Sequence, residues 1–302
     1  MKRTAAYLFA GWFALAGGAA FAQLEPEAPV ELSGTLLKAR SSGAVTLAYR
    51  ESSIPFSYLS ARGEPIGYSI ELCRSLVEAI GEAVGRELEI KWIAVTPETR
   101  IEAIVSGKAD LECGSTTSNL ERRKRVAFSP TIFVSGTKLM VKRGSPIRSF
   151  RDLGGRSVAV TAGTTNEQTL RDIAKKFKLD YRLLVSRDHA ASFAQVSEGR
   201  ADAFATDDVL LYGLIAQNQA KGRYAVVGEF LSYDPYGIVY RKGDAQLARL
   251  VEDTFRNLAE DGEVERQYKR WFLGRLPSGA SIDLPMSPQL EALIRAMAAR
   301  PE

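Results

Sequence analysis

Apolar positions recur along the chain in two alternating rhythms. Ile70, Cys73, Val77, Ile80 and Val84 stand three and four residues apart, the stripe of an amphipathic helix. "VTLAYR" (45–50) and "LEIKWIAV" (88–95) are short apolar, β-branched runs that predict strands. In "TPETRIEAIVSG" (96–107), Thr96 and Pro97 read as N-cap and first helical residue, and Gly107 as the stop. The rhythm resumes with "SVAVTAG", "TTNEQTLRDIAKKF", "YRLLVS", "DHAASFAQVSEG", "ADAFAT" and "DDVLLYGLIAQN", between residues 157 and 218. Strand–helix alternation at this spacing predicts an α/β fold with largely parallel sheets.

Two segments break the rhythm in the same way. "GTKLMVKRG" (136–144) and "YGIVYRKG" (236–243) are apolar strands that end in a basic pair and a glycine. They bracket about a hundred residues. The chain is therefore expected to enter and leave a second lobe through them, with these strands as hinges. Residues 43–137 and 238–302 would form one lobe and 138–237 the other, after a polar, proline-containing leader over 23–42. Two α/β lobes joined by two strands enclose a cleft, a favoured place for a small ligand. A single doubly wound domain is the competing architecture.

Composition is that of an ordinary globular protein, 45% hydrophobic and 25% charged over 302 residues. The start of the chain is not. "MKRTAAYLFAGWFALAGGAAFAQ" has a basic beginning, a short apolar run and a small-x-small site at Ala20-Phe21-Ala22. That is the pattern of a secretory signal peptide over 1–22, cleaved after Ala22. The apolar run falls short of the ~20 residues of a spanning helix. Loss of Lys2 and Arg3 lowers the net charge from +4 to +2, which gives no support for a nucleic-acid partner. One histidine (His189) and two cysteines (Cys73, Cys113) argue against a metal site. The cysteines admit two readings. In an oxidising compartment they bridge and close a loop of about forty residues; alternatively both are buried thiols, since Cys73 lies on the apolar stripe.

Candidate chemistry gathers in "ECGSTTSNLERRKRVAFSP" (112–130). Gly114-Ser115-Thr116-Thr117 follows the short strand "ADLE" and precedes a predicted helix at Asn119, a place where backbone N–H groups and the helix dipole favour an anion. Residues 162–167, "AGTTNE", repeat the device after "SVAV", so that one Thr-Thr pair lies on each side of the expected cleft. Arg122 is placed to swing back toward Thr117, and a guanidinium beside hydroxyls and N–H groups suits a carboxylate. Consecutive helical residues point in different directions, so at most one or two of "RRKR" are expected to face the cleft and the others to be solvated.

Over nearly the whole chain after residue 42, "YRESSIPFSYLS", "GYSIELC", "DLECGSTTSNLERRKRVAFS", "SVAVTAGTTNEQ", "SRDHAASFAQVSEGRADAFATDDVLLYG", "YGIVYRKGD" and "LPMSPQLEALI" occur in sequence. With these phrases the chain resembles the periplasmic amino-acid binding proteins of ABC importers, in the glutamate/aspartate branch. The resemblance implies the type II binding-protein fold, two α/β lobes closing on L-glutamate or L-aspartate. It also implies a monomer without cofactor that delivers its ligand to a membrane permease. Arg122, Thr117 and Thr165 match positions that hold the α-carboxylate. The carbonyl of Ser115 and Asp207 match acceptors of the ammonium, with Asp208 as the competing aspartate. Arg50, Arg100 and His189 match positions that meet the side-chain carboxylate. In the wider family the position of Arg50 is often acidic, and a cation there selects a negative charge. Pro97 departs from the serine common in the branch, which puts one distal hydroxyl contact in doubt. The same fold carries lyases such as cyclohexadienyl dehydratases, with His189, Asp207 and Asp208 as the acid–base candidates. "GYSIE" lacks the last glycine of a nucleophile elbow, and each of those three residues has a simpler role as a fixed charge or acceptor. Binding without catalysis is the reading preferred.

Overall fold

The computed structural model describes residues 31–299; the expected signal peptide and its cleavage site lie outside them. Two five-stranded sheets form the frame. The first has the order Glu89–Ala94, Ala44–Tyr49, Leu111–Glu112, Val239–Arg241, Val126–Phe128. The second has the order Arg182–Ser186, Ser157–Thr161, Ala203–Asp207, Thr137–Lys142, Tyr224–Val227. In both, the first three strands are parallel and the fourth runs antiparallel. The sheets are mixed, not largely parallel, and the connections explain why. A crossover helix returns the chain to its starting edge and keeps strands parallel. The fourth strand of each sheet instead arrives from the opposite lobe and enters reversed.

The two segments expected as hinges, 136–144 and 236–243, each supply a strand to a sheet. Thr137–Lys142 and Val239–Arg241 are built into the sheets. The connecting pair lies just before each: Phe133–Ser135 and Asp234–Tyr236 form a separate two-stranded antiparallel ladder. Its aromatic members anchor it in the first lobe. Phe133 stacks on Phe272 and Tyr268, and Phe56 meets Phe133 and Tyr236 edge-on with centroids 5.0 and 5.1 Å away.

The predicted helical stripe forms Tyr68–Val84 and buries Ile70, Cys73, Val77, Ile80 and Val84. Cys73 on this helix is disulfide-bonded to Cys113, next to Leu111–Glu112. The next helix begins at Arg100 rather than Pro97. The Thr96 carbonyl accepts from the N–H groups of both Thr99 and Arg100, so residues 97–99 make a turn first. The last part of the expected leader is also structured. Gly34–Ser42 is a helix that buries Thr35, Leu36 and Ala39, and Asp244 Oδ2 accepts from its Thr35 N–H at 2.7 Å. Three buried positions in nine residues leave too faint a stripe to read. Ala245–Glu260 packs on Gly34–Ser42 and Tyr68–Val84, returning the chain to the first lobe.

Candidate functional site

The polar residues singled out by sequence converge at the carboxyl ends of the parallel strands, the usual binding edge of an α/β sheet. Arg50 follows Ala44–Tyr49, and residues 114–117 follow Leu111–Glu112. Thr165 opens a helix after Ser157–Thr161, His189 opens one after Arg182–Ser186, and Asp207 ends its own strand.

Hydroxyls and guanidinium meet at one corner. Thr117 Oγ1 and Thr165 Oγ1, from opposite lobes, are 3.4 Å apart. Arg122 donates from Nη1 to the Thr117 carbonyl (2.9 Å) and from Nη2 to the Gly163 carbonyl (3.4 Å), spanning the lobes. Burial, helped by Arg100, pulls the Arg122 guanidinium down to about 9. Neighbouring Thr164 is the N-cap: its Oγ1 accepts from the Glu167 N–H at 3.1 Å.

The acceptor side is formed by Asp207. Its Oδ1 accepts from Asn166 Nδ2 at 2.7 Å and its Oδ2 from the Tyr236 hydroxyl. Burial, then the nearby Asp234, raises its carboxyl well above the ordinary range. Asp208 is engaged elsewhere. Its Oδ1 accepts from Ser135 Oγ at 2.7 Å and from the Val209 N–H at 2.8 Å. The Ser115 carbonyl accepts from Arg100 Nη1 at 3.3 Å, so it is shared rather than free.

The opposite corner is cationic. Arg50 is 1% exposed, and both Nη1 and Nη2 lack a hydrogen-bond partner. Burial, and next the charge of Arg100, pulls it down to about 9. Arg100 is also buried; its Nη1 donates to Thr116 Oγ1 at 2.7 Å while its Nε is unpartnered. His189 Nδ1 lies 2.9 Å from Thr161 Oγ1. Burial, then Arg50 and Arg100, pushes its imidazole well below the usual value, so the ring is neutral at pH 7. Two buried guanidinium cations side by side and three of their N–H groups without acceptors are what an anion would relieve.

Several residues of this cluster have no clear sequence signal. Asp234 accepts from Thr117 Oγ1 at 3.0 Å, yet "SYDPYG" shows no periodicity to place it or Tyr236. Asn166 donates to Thr137 as well as to Asp207. Glu112 is fully buried and accepts from Thr116 Oγ1 at 2.6 Å. The only available signal was an acid at the end of an apolar strand.

Known proteins resemble this chain in sequence and in fold. The model of bacterial extracellular solute-binding proteins, family 3, matches residues 45–274. The chain is 41% identical over 267 residues to the L-glutamate/L-aspartate-binding protein of Pseudomonas aeruginosa, covering 87% of this chain and 88% of that one. It is 37% identical to the glutamate/aspartate import solute-binding protein of Escherichia coli, over 93% and 94% of the two chains. Among solved structures, the ancestral amino acid-binding protein AncCDT-1, a precursor of cyclohexadienyl dehydratase, superposes with a TM-score of 0.68. The two are 30% identical, with 79% of this chain and 99% of that one covered.

Proposed function

The chain belongs to family 3 of the bacterial extracellular solute-binding proteins, and from that premise we propose that it is the binding component of an ABC importer for acidic L-amino acids. It captures L-glutamate or L-aspartate and releases it unchanged to a membrane permease. Arg122, Thr117 and Thr165 hold the α-carboxylate, and Asp207 with the Ser115 carbonyl holds the ammonium. Arg50, Arg100 and neutral His189 receive the side-chain carboxylate. Export to the periplasm with cleavage after Ala22, and action as a monomer, complete the proposal.

The observation that carries this reading is Arg50: a buried guanidinium with both terminal nitrogens unpartnered. A buried donor without an acceptor costs roughly 1–3 kcal/mol, more when charged. Charge-assisted hydrogen bonds contribute ~1.5–3 kcal/mol each, so several of them, less desolvation, support a dissociation constant of about 1 μM or tighter. Contacts that join the lobes around the cluster (Arg122 to Gly163, Thr117 to Thr165) would be made as the lobes close about Phe133–Ser135 and Asp234–Tyr236.

The test is calorimetric titration of ligand-stripped protein with L-glutamate, L-aspartate, L-glutamine and L-histidine, each mixture then being assayed for product. Tight 1:1 binding of the two acidic ligands, recovered intact, is expected. Failure to bind either, or their conversion to product, overturns the proposal.

A further inference from the structure

Resting on the reading of an acidic amino-acid site, we propose that Glu112 is a specificity-determining residue: a fixed counter-charge that sets the distal pocket to take one negative charge and to refuse two. Glu112 ends the strand Leu111–Glu112 and is entirely buried. It reaches Arg100 through Thr116. The threonine hydroxyl donates to Glu112 Oε2 at 2.6 Å and accepts from Arg100 Nη1 at 2.7 Å. A hydroxyl has one proton, so giving it to the carboxylate turns the lone pairs of Thr116 toward Arg100. Arg100 is thereby held with Nη1 engaged and Nε free.

The second oxygen, Oε1, is buried and unpartnered. A Cβ at Gly114 would lie 2.3 Å from this oxygen and 3.0 Å from Arg50 Cγ. The bare backbone at residue 114 is what lets the carboxylate and Arg50 share one space. Glu112 is also the foremost charge supporting Arg100, and it supports Arg50 and Arg122 as well.

The charges around the pocket can then be counted. Arg50 and Arg100 contribute two positive charges and Glu112 one negative, while His189 is neutral. Asp188 also acts on Arg50, but its oxygens are engaged by the Ala191 N–H at 2.8 Å and by Arg187 at 3.0 Å. Arg122 faces Asp234 and Asp207 at the other corner. Asp207 also acts on Arg100, but its carboxyl is raised well above the ordinary range and its oxygens are taken by Asn166 and Tyr236. The distal pocket therefore has one uncompensated positive charge, matched to a single carboxylate. A purely architectural Glu112 would serve equally well as glutamine, which keeps the shape and can still accept from Thr116.

Charge selectivity distinguishes the two roles. Affinities of the wild-type protein and of Glu112→Gln are measured for L-glutamate and for its phosphonate analogue, in which a phosphonate replaces the side-chain carboxylate. The pH is set below and above the second ionisation of the phosphonate, near neutrality. The ratio of the two affinities removes effects of pH on the protein, and its change with pH removes effects of phosphonate size. In the wild type, the ratio should fall about tenfold as the second proton leaves. In E112Q it should hold steady or rise, so that the doubly charged ligand gains about tenfold relative to wild type. Thr116→Val, which breaks the relay and keeps the charge, should weaken both ligands and retain the wild-type trend.

An identical trend in wild type and E112Q overturns the assignment, as does a phosphonate bound by neither protein at either pH. If E112Q does not fold, a wild-type ratio that stays level overturns it alone. A wild-type protein that binds neither ligand overturns the acidic amino-acid reading itself, whereas glutamate bound with the wrong trend removes only the role of Glu112.

Discussion

At the scale of single residues, Arg50 and Arg122 should behave differently despite their shared chemistry. Arg122 touches backbone carbonyls of both lobes beside Thr117 and Thr165, the corner assigned to a group every amino acid carries. Arg122→Ala should weaken every amino-acid ligand by on the order of 3 kcal/mol, because it strands a buried carboxylate. Arg50 stands at the corner assigned to the side chain. Arg50→Ala should weaken glutamate and aspartate by a similar amount and leave glutamine within about 1 kcal/mol; calorimetry showing equal losses for all three would contradict the assignment. His189 gives a pH prediction with a definite sign. Its unfolded imidazole titrates near 6.5 and the folded one well lower. Below 6.5 the unfolded chain holds a proton that the folded chain does not, so stability falls as the pH drops through that window. Asp207 has the opposite slope, since its raised carboxyl keeps a proton in the folded state above 3.8. His189→Asn removes only the first contribution, so between about pH 5 and 6.5 its urea midpoint should rise less with pH than that of the wild type. Hydroxyl and cation clusters beside helix starts made Thr117, Thr165 and Arg122 readable from sequence. Glu112 and Asp234 were not, because buried carboxylates run against the ordinary pattern of burial and their partners are distant in the chain.

Among the elements, legibility followed length and periodicity. Tyr68–Val84 repeats its apolar stripe over seventeen residues, enough for the 3.6-residue period to stand out. Phe133–Ser135 and Asp234–Tyr236 are three residues each, too short to show any period. What fixes them is mutual pairing across a hundred residues and the rings of Phe56, Phe272 and Tyr268, none of it local. The antiparallel fourth strand of each sheet is hidden for the same reason. Parallel or antiparallel pairing is decided by how the chain arrives, and a strand sequence is much the same in either case. The cysteines were equally undecided, because a thiol on an apolar stripe and half of a buried bridge share one environment. The bridge fastens a helix of the first lobe beside the turn that carries residues 114–117. Replacing both cysteines with alanine should lower the unfolding free energy by about 4 kcal/mol, from the chain entropy of a forty-residue loop. A urea titration would register this, and a loss below about 1 kcal/mol would mean that the unfolded chain is already confined.

For the molecule as a whole, the proposed closure of the two lobes on their ligand can be tested at the contact between them. Gly163 lies where they touch. Its carbonyl accepts from Arg122 and its N–H donates to Glu167 Oε2 at 3.0 Å. A Cβ there would stand 3.0 Å from both N and Cα of Glu98 in the opposite lobe. Those are backbone atoms of a turn, which cannot swing aside as a side chain would. The residue also has φ +71, a conformation that costs a residue with a side chain roughly 1–2 kcal/mol. The two penalties belong to different states. Backbone strain is present whenever the second lobe is folded, whereas the contact with Glu98 exists only when the lobes meet. Gly163→Ala should therefore lower the stability of the unliganded protein by about 1–2 kcal/mol and reduce glutamate affinity by about tenfold or more, the overlap being charged to the closed form alone. Small-angle scattering supplies the independent reading: the decrease in radius of gyration on adding glutamate should be smaller in the variant. Unchanged affinity with full compaction would show that Glu98 yields to the methyl group, and that closure tolerates more slack at this contact than the spacing implies.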